Sequence, residues 1–170
     1  MSCAESNDSA GADGAQPPRA AHRNASRSAR RRARELALQG LYGWLLSGGE
    51  CAAIVSQLKS LPGYGQADEA YLLDLIQGTI GSAESLRARF SDAIDRPLAE
   101  LSPVEHSILL IATFELAHRP EIPYKVIINE AIELAKGFGA TDGFRYVNGV
   151  LDRMAGRIRG QEAGSGRVAR

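Results

Sequence analysis

Five arginines, Arg27, Arg30, Arg31, Arg32 and Arg34, run without a proline or a loop into the apolar pattern of RSARRRARELALQGLYGW, residues 27–44. Guanidinium groups are planar forks of donors that match phosphate and carboxylate oxygens. The chemistry they offer at this density is polyanion binding. On a helical wheel Arg31, Glu35, Leu38 and Tyr42 fall near one line, with Arg34 about 60° to the side. Ala37, Leu41 and Trp44 set the buried face. This arrangement predicts arginines that project to solvent, with Tyr42 partly exposed beside them. Unpaired bases stack on aromatic rings and guanidinium planes, so the combination favours single-stranded RNA over a duplex. The first turns of a helix are already positive, and four cations there are costly unless a phosphate backbone neutralises them. Phe144-Arg145-Tyr146 repeats the basic-aromatic theme, although Phe144 and Val147 have core spacing.

Other reactive side chains form no recognisable site. His106 and His118 are twelve residues apart, about 120° around a helix, so they make no metal pair. His22 lies apart from both, and no CxxC or HxxxH spacing occurs. The glycines of KGFGATDG follow a helical pattern, whereas a dinucleotide loop follows a strand, so they read as a helix C-cap. Glu130, Glu133 and Lys136 read as surface pairing. Asn129 and Asn148 are poor helix-interior residues, and their amides are expected to bond across helix contacts or cap a neighbour. The expectation is no catalytic site, no metal and no cofactor.

These residues sit in a chain of 170, enough for one domain plus a tail, and 44% of it is hydrophobic. No apolar run approaches the length of a membrane span. The start, MSCAESNDSAGADGAQPP, lacks the apolar core of a secretory signal. Cys3 and Cys51 are the only cysteines, which fits a reducing cytoplasm and no structural disulfide. The formal net charge of zero hides an asymmetry. Residues 1–34 hold seven arginines and three acids, and residues 159–170 hold three arginines and Glu162. The body between them carries 10 basic and 16 acidic residues. Such a division points to a polyanionic partner; the alternative is a basic arm that docks on its own acidic body.

The apolar spacing is helical throughout, and no run alternates as a strand would. Residues 1–27 read as disordered, 28–158 as one all-helical domain and 159–170 as a disordered tail. The first helix is expected over Ser28–Leu46, ended by Gly48 and Gly49. A short helix follows over Glu50–Ser60, then one capped by Asp68 that either breaks at Gly81-Ser82 or continues to Arg96. Ser102-Pro103-Val104-Glu105 is a capping box with proline at the first helical position. It opens SPVEHSILLIATFELAHR, apolar on nearly all sides and therefore central. A helix from Pro123 ends at Gly137 and Gly139, and the last starts near Thr141 or Asp142.

Four segments, RRRARELALQGLYGW, VEHSILLIATFEL, PYKVIINEAIELAKGFG and FRYVNGVLDR, together resemble the NusB family of bacterial transcription antitermination factors over roughly residues 28–157. The resemblance implies an all-α, compact bundle of about seven helices in two subdomains, with no enzymatic activity and no cofactor. It implies binding of boxA-type RNA, including that of ribosomal RNA operon leaders, as a heterodimer with ribosomal protein NusE. RNA polymerase and other Nus factors join the larger complex. The resemblance carries RNA contact onto Arg30, Arg31, Arg32, Arg34, Tyr42, Asp142, Arg145 and Tyr146, and NusE contact onto Glu105. The stretch of nearly thirty residues before the cluster, with Arg19, Arg23 and Arg27, departs from the family pattern. So do Gly40 and Gly43 inside the first helix, which close packing would explain. Two other functions compete: a helical interaction module or homodimer with its RNA face covered, and a fragment of an rRNA cytosine methyltransferase, a reading that needs a cofactor-binding α/β domain after this one.

Overall fold

A computed structural model describes residues 19–160, and these form seven α-helices with no strand among them. They are α1 (Arg19–Ser47), α2 (Cys51–Lys59), α3 (Glu69–Gly81), α4 (Ala83–Phe90), α5 (Pro103–His118), α6 (Tyr124–Phe138) and α7 (Gly143–Ile158). The expectations of disorder over 1–18 and 161–170 lie outside the described residues.

The axis of the bundle is α5. Its capping box forms as the sequence predicts: the Glu105 amide donates to Ser102 Oγ at 3.2 Å, and the Ser102 amide donates to Glu105 Oε2 at 3.3 Å. Every residue from Ser107 to Leu116 is buried. Helices α1, α3, α4, α6 and α7 all pack against α5. Helix α1 also packs against α2 and α3, and α6 against α7, while α1 and α6 touch along one seam, all around one shared core. Each fully buried Leu, Ile or Phe here contributes about 1.5–3 kcal/mol. The Asp68 side chain caps α3 by accepting from the Tyr71 amide at 3.1 Å, and its own amide donates to the Ala29 carbonyl at 3.1 Å, fastening α3 to α1.

Gly40 is explained by close packing. A Cβ there would stand 3.0–3.1 Å from Ile76, Ile54 and Leu58, so α1 approaches α2 and α3 through this position. Gly43 faces open space, and nothing in the structure explains it. Gly48 and Gly49 end α1 with φ of 72° and 107°, where other residues are strained.

Several boundaries differ from expectation. Helix α1 begins at Arg19, nine residues before Ser28, so residues 19–27 are helical rather than disordered. Alanine and arginine are strong helix formers and extend the helix without any apolar stripe. The helix after Asp68 does break at Ser82, whose hydroxyl donates to the Gly78 carbonyl. Helix α4 then stops at Phe90, short of Arg96. Helix α6 runs through Gly137 to Phe138. Helix α7 starts after Asp142, but the Asp142 side chain makes no capping bond.

Arg159, expected in a disordered tail, is buried. Its guanidinium donates to the carbonyls of Leu116 at 2.9 Å, Ile122 at 2.7 Å, Glu115 at 3.1 Å and Arg119 at 2.6 Å. Carbonyls at a helix C-terminus lack partners and carry partial negative charge, and one cation closes the end of α5.

Candidate nucleic-acid interface

The basic stretch of α1 holds no acid before Glu35, and residues 20–28 are exposed throughout. Arg23, Arg27, Arg31, Glu35, Leu38 and Tyr42 recur at three- or four-residue spacing and form one stripe. That stripe faces α6, whose Val126, Asn129, Glu130, Glu133, Gly137 and Phe138 form the opposite wall. Along this seam lie three adjoining clefts, the first two sharing Glu130 and the last two sharing Phe138, and together they make the α1–α6 groove. Its basic end lies beside His22, Arg23, Arg27 and Arg30. Its apolar end is lined by Leu38, Tyr42, Val104 and Phe138, with Tyr42 41% and Phe138 43% exposed.

The arginines do not project as one block. Arg34 corrects the expectation of a solvent-facing cluster: its side chain is 5% exposed and points inward. Its Nε donates to both carboxylate oxygens of Glu115 at 3.1 Å, and Nη2 donates to Oε1 at 2.7 Å and to the Tyr71 hydroxyl at 2.9 Å. Tyr71 in turn donates to Glu115. Burial pushes the Glu115 carboxyl up, and the Arg34 guanidinium pulls against that shift. Arg34 has its donors spent inside the fold and little surface for a ligand.

The others are partly exposed and paired with acids. Arg30 lies 3.7 Å from Asp68 and 5.2 Å over the Tyr71 ring. Arg31 donates to Glu130 at 3.2 Å and approaches Glu133 at 3.7 Å. Arg32 bonds Glu35 at 2.8 Å and the Pro62 carbonyl at 2.5 Å. Arg27, with a side chain 78% exposed, reaches Glu130 only at 4.0 Å. The basic arm therefore does dock in part on its own acidic body, and an incoming anion competes with Glu130 and Glu133 for Arg31.

At the start of α7, Arg145 is exposed and pairs loosely with Asp142 at 3.8 Å. Tyr146 is half-buried, with the Arg96 guanidinium 4.2 Å over its ring. Burial holds its phenol above the ordinary tyrosine range. One ring face is thus already occupied by a cation. Phe144 packs against the core, as its spacing predicts. Glu105, in its capping box at the start of α5, lies 3.3 Å from where a Cβ on Gly143 would be. The structure therefore brings Glu105 to the start of α7, next to the RNA candidates Asp142, Arg145 and Tyr146.

Asn129 is exposed in the groove, and neither it nor Asn148 makes a side-chain hydrogen bond among the described residues, so the bridging role expected of both is not found. His106 accepts from Arg87 Nε at 3.1 Å, and burial, then the Arg87 charge, lower its pKa to about 4. Among the described residues no three His, Cys, Asp or Glu side chains gather as metal ligands, and no helix is long and apolar enough to cross a membrane. Sequence reasoning missed Glu130, Glu133 and Phe138 as groove residues. Their signal was the i, i+3/i+4 stripe on α6 facing the one on α1.

Residues 31–156 match the model of the NusB family. A Bordetella pertussis protein described as transcription antitermination protein NusB is 57% identical over 141 residues, covering 81% of this chain and 92% of its own. A Nitrosomonas eutropha protein of the same description is 54% identical over 139 residues, covering 82% and 83%. Among solved structures, a T. maritima NusB superposes with a TM-score of 0.69 at 27% identity, covering 78% of this chain and 95% of that one. A crystal structure of antitermination factors NusB and NusE in complex with double-stranded RNA superposes with a TM-score of 0.67 at 20% identity, covering 75% and 96%, and bears on the fold.

Proposed function

The chain belongs to the NusB family, and from that membership we propose that it is an antitermination factor whose α1–α6 groove binds RNA. The ligand is boxA-type single-stranded leader RNA, bound together with ribosomal protein NusE, in support of ribosomal RNA operon transcription. The observation that carries the reading is the groove itself. It places exposed or half-exposed arginines at one end and the exposed rings of Tyr42 and Phe138 at the other. Cations track a phosphate backbone, and aromatic faces stack unpaired bases. Arg30 and Arg31 contact the backbone in the groove, and Arg32 contacts it from the neighbouring face of α1 beside Pro62. Tyr42 contacts a base, and Asp142, Arg145 and Tyr146 contact a continuation of the strand. Arg34 acts through the fold. Glu105 lies on the NusE side, and RNA polymerase and other Nus factors join beyond it. The protein acts without catalysis, in the cytoplasm. The related complex contains double-stranded RNA, so strandedness is part of the test.

That test is fluorescence anisotropy with a boxA-like single strand, a scrambled strand and a duplex, with and without NusE. Preference for the boxA strand, strengthened by NusE and lost in Arg30→Ala/Arg31→Ala/Arg32→Ala, supports the proposal. Equal binding to boxA and scrambled strands leaves only a generic basic surface. A second reading, a partner-binding module or homodimer, is favoured by exposed Leu46 near the end of α1 and by a cleft between α1 and α2 lined by Gly40, Gly43, Trp44 and Ile54. It predicts association in sedimentation and no arginine-dependent RNA affinity, because the RNA face is covered.

A further inference from the structure

The first three turns of α1 lie before residue 31, where the match to the family begins. We propose that this extension is a second stretch of the RNA-binding surface, in which Arg23 and Arg27 hold backbone phosphates beyond those held by Arg31. The inference rests on the RNA reading above and adds to it residues that the family match does not include.

Three observations carry it. Arg23, Arg27 and Arg31 recur at four-residue intervals, so their side chains leave one face of the helix about 6 Å apart along its axis. A regular row of forked donors fits a polymer with regularly repeated charge. Their counter-charge also falls along the row. Arg31 is held by Glu130 at 3.2 Å, Arg27 reaches the same carboxylate only at 4.0 Å, and Arg23 makes no ion pair among the described residues. The most exposed cations are therefore those least neutralised by the protein. Finally, the row overlooks a cleft with Val126 and Asn129 exposed on its far side. An apolar surface beside a free amide accommodates the face and edge of a base. The regular row of guanidinium groups beside this surface matches the repeated phosphates of a strand, so RNA is the favoured partner, with an acidic peptide as the competing outcome.

Residues 20–28 are all exposed, and alanine preserves helicity, so substitution at Arg23 and Arg27 removes charge without disturbing the core. The experiment follows RNA affinity across a salt series by anisotropy, with a short boxA-like single strand and NusE present. Wild type is compared with Arg23→Ala/Arg27→Ala and Arg23→Lys/Arg27→Lys. Loss of two phosphate contacts makes the log–log salt slope shallower by about 1.4 for a single strand. The lysine variant keeps the wild-type slope. Polyglutamate of matched charge competes more weakly than unlabelled RNA. Wild-type binding with an unchanged slope in the alanine variant overturns the inference while leaving the RNA reading intact. Equal competition by polyglutamate overturns it in favour of an acidic protein partner. No RNA binding by wild type at any salt concentration overturns both.

Discussion

Arg34 and Glu115 form a buried ion pair at the crossing of α1 and α5, with Nη2 2.7 Å from Oε1 and side chains 5% and 1% exposed. The most conspicuous feature of the sequence, its arginine run, is thus divided by depth. One member fixes the helix, and the others line its surface. The helix that carries the RNA candidates is clamped to the core through a pair of charges almost closed to solvent.

Removing Arg34 leaves Glu115 buried without its cation. Arg34→Ala is expected to cost about 3–5 kcal/mol in urea unfolding, while Arg34→Met/Glu115→Leu recovers most of that loss. If the single variant unfolds like wild type, the pair is not holding α1 in place.

Glu133 lies 3.7 Å from Arg31, so RNA bound at Arg31 as proposed would compete with it. Glu133→Gln should tighten RNA binding and steepen its salt dependence. Arg31→Ala should weaken it, with a slope shallower by about 0.7 on a single strand. Weaker binding in Glu133→Gln would mean that the carboxylate orients Arg31 rather than competing for it.

Much of this could be read from the chain. The Ser102–Glu105 box, the Asp68 cap and the Gly48-Gly49 stop rest on local backbone chemistry, and each formed where its residues indicated. The burial of Arg34 was also legible. Arg34, Ala37, Leu41 and Trp44 share the spacing of the inner stripe, and Glu115 interrupts an otherwise apolar helix. Charge led the reading to solvent, where position led inward. Arg159 had no such signal, because its acceptors are backbone carbonyls that any sequence supplies. The early start of α1 escaped because apolar periodicity, the guide used elsewhere, is absent from an arm that buries nothing.

Arg159→Ala frees the carbonyls at the end of α5. Bonds to a charged donor are worth about 1.5–3 kcal/mol net, so a loss of about 2–3 kcal/mol is expected in thermal or urea unfolding. Arg159→Lys, a point charge without the fork, should recover only part of it. Wild-type stability in Arg159→Ala would show that water replaces the guanidinium at no cost.

His106 is neutral in the native protein, its pKa lowered from 6.5 to about 4 by burial and the Arg87 charge. Between those two values the unfolded chain binds a proton that the native protein refuses. This contribution to stability is complete above the unfolded pKa and is lost as pH falls towards the folded one. His106→Gln keeps an acceptor for Arg87 without the titration. Wild type should therefore lose more stability than His106→Gln between about pH 7 and about pH 5. Equal losses would place the imidazole in contact with water.

The placement of RNA in the α1–α6 groove is tested most directly by photo-crosslinking. A uridine-substituted boxA-like strand would be bound to the full chain with NusE, irradiated, and the attached peptides mapped by mass spectrometry. Crosslinks at Tyr42 and Phe138, with further attachment along residues 20–32, are the predicted result. Crosslinks confined to α2, α3 or α4, with the groove unlabelled, would contradict it.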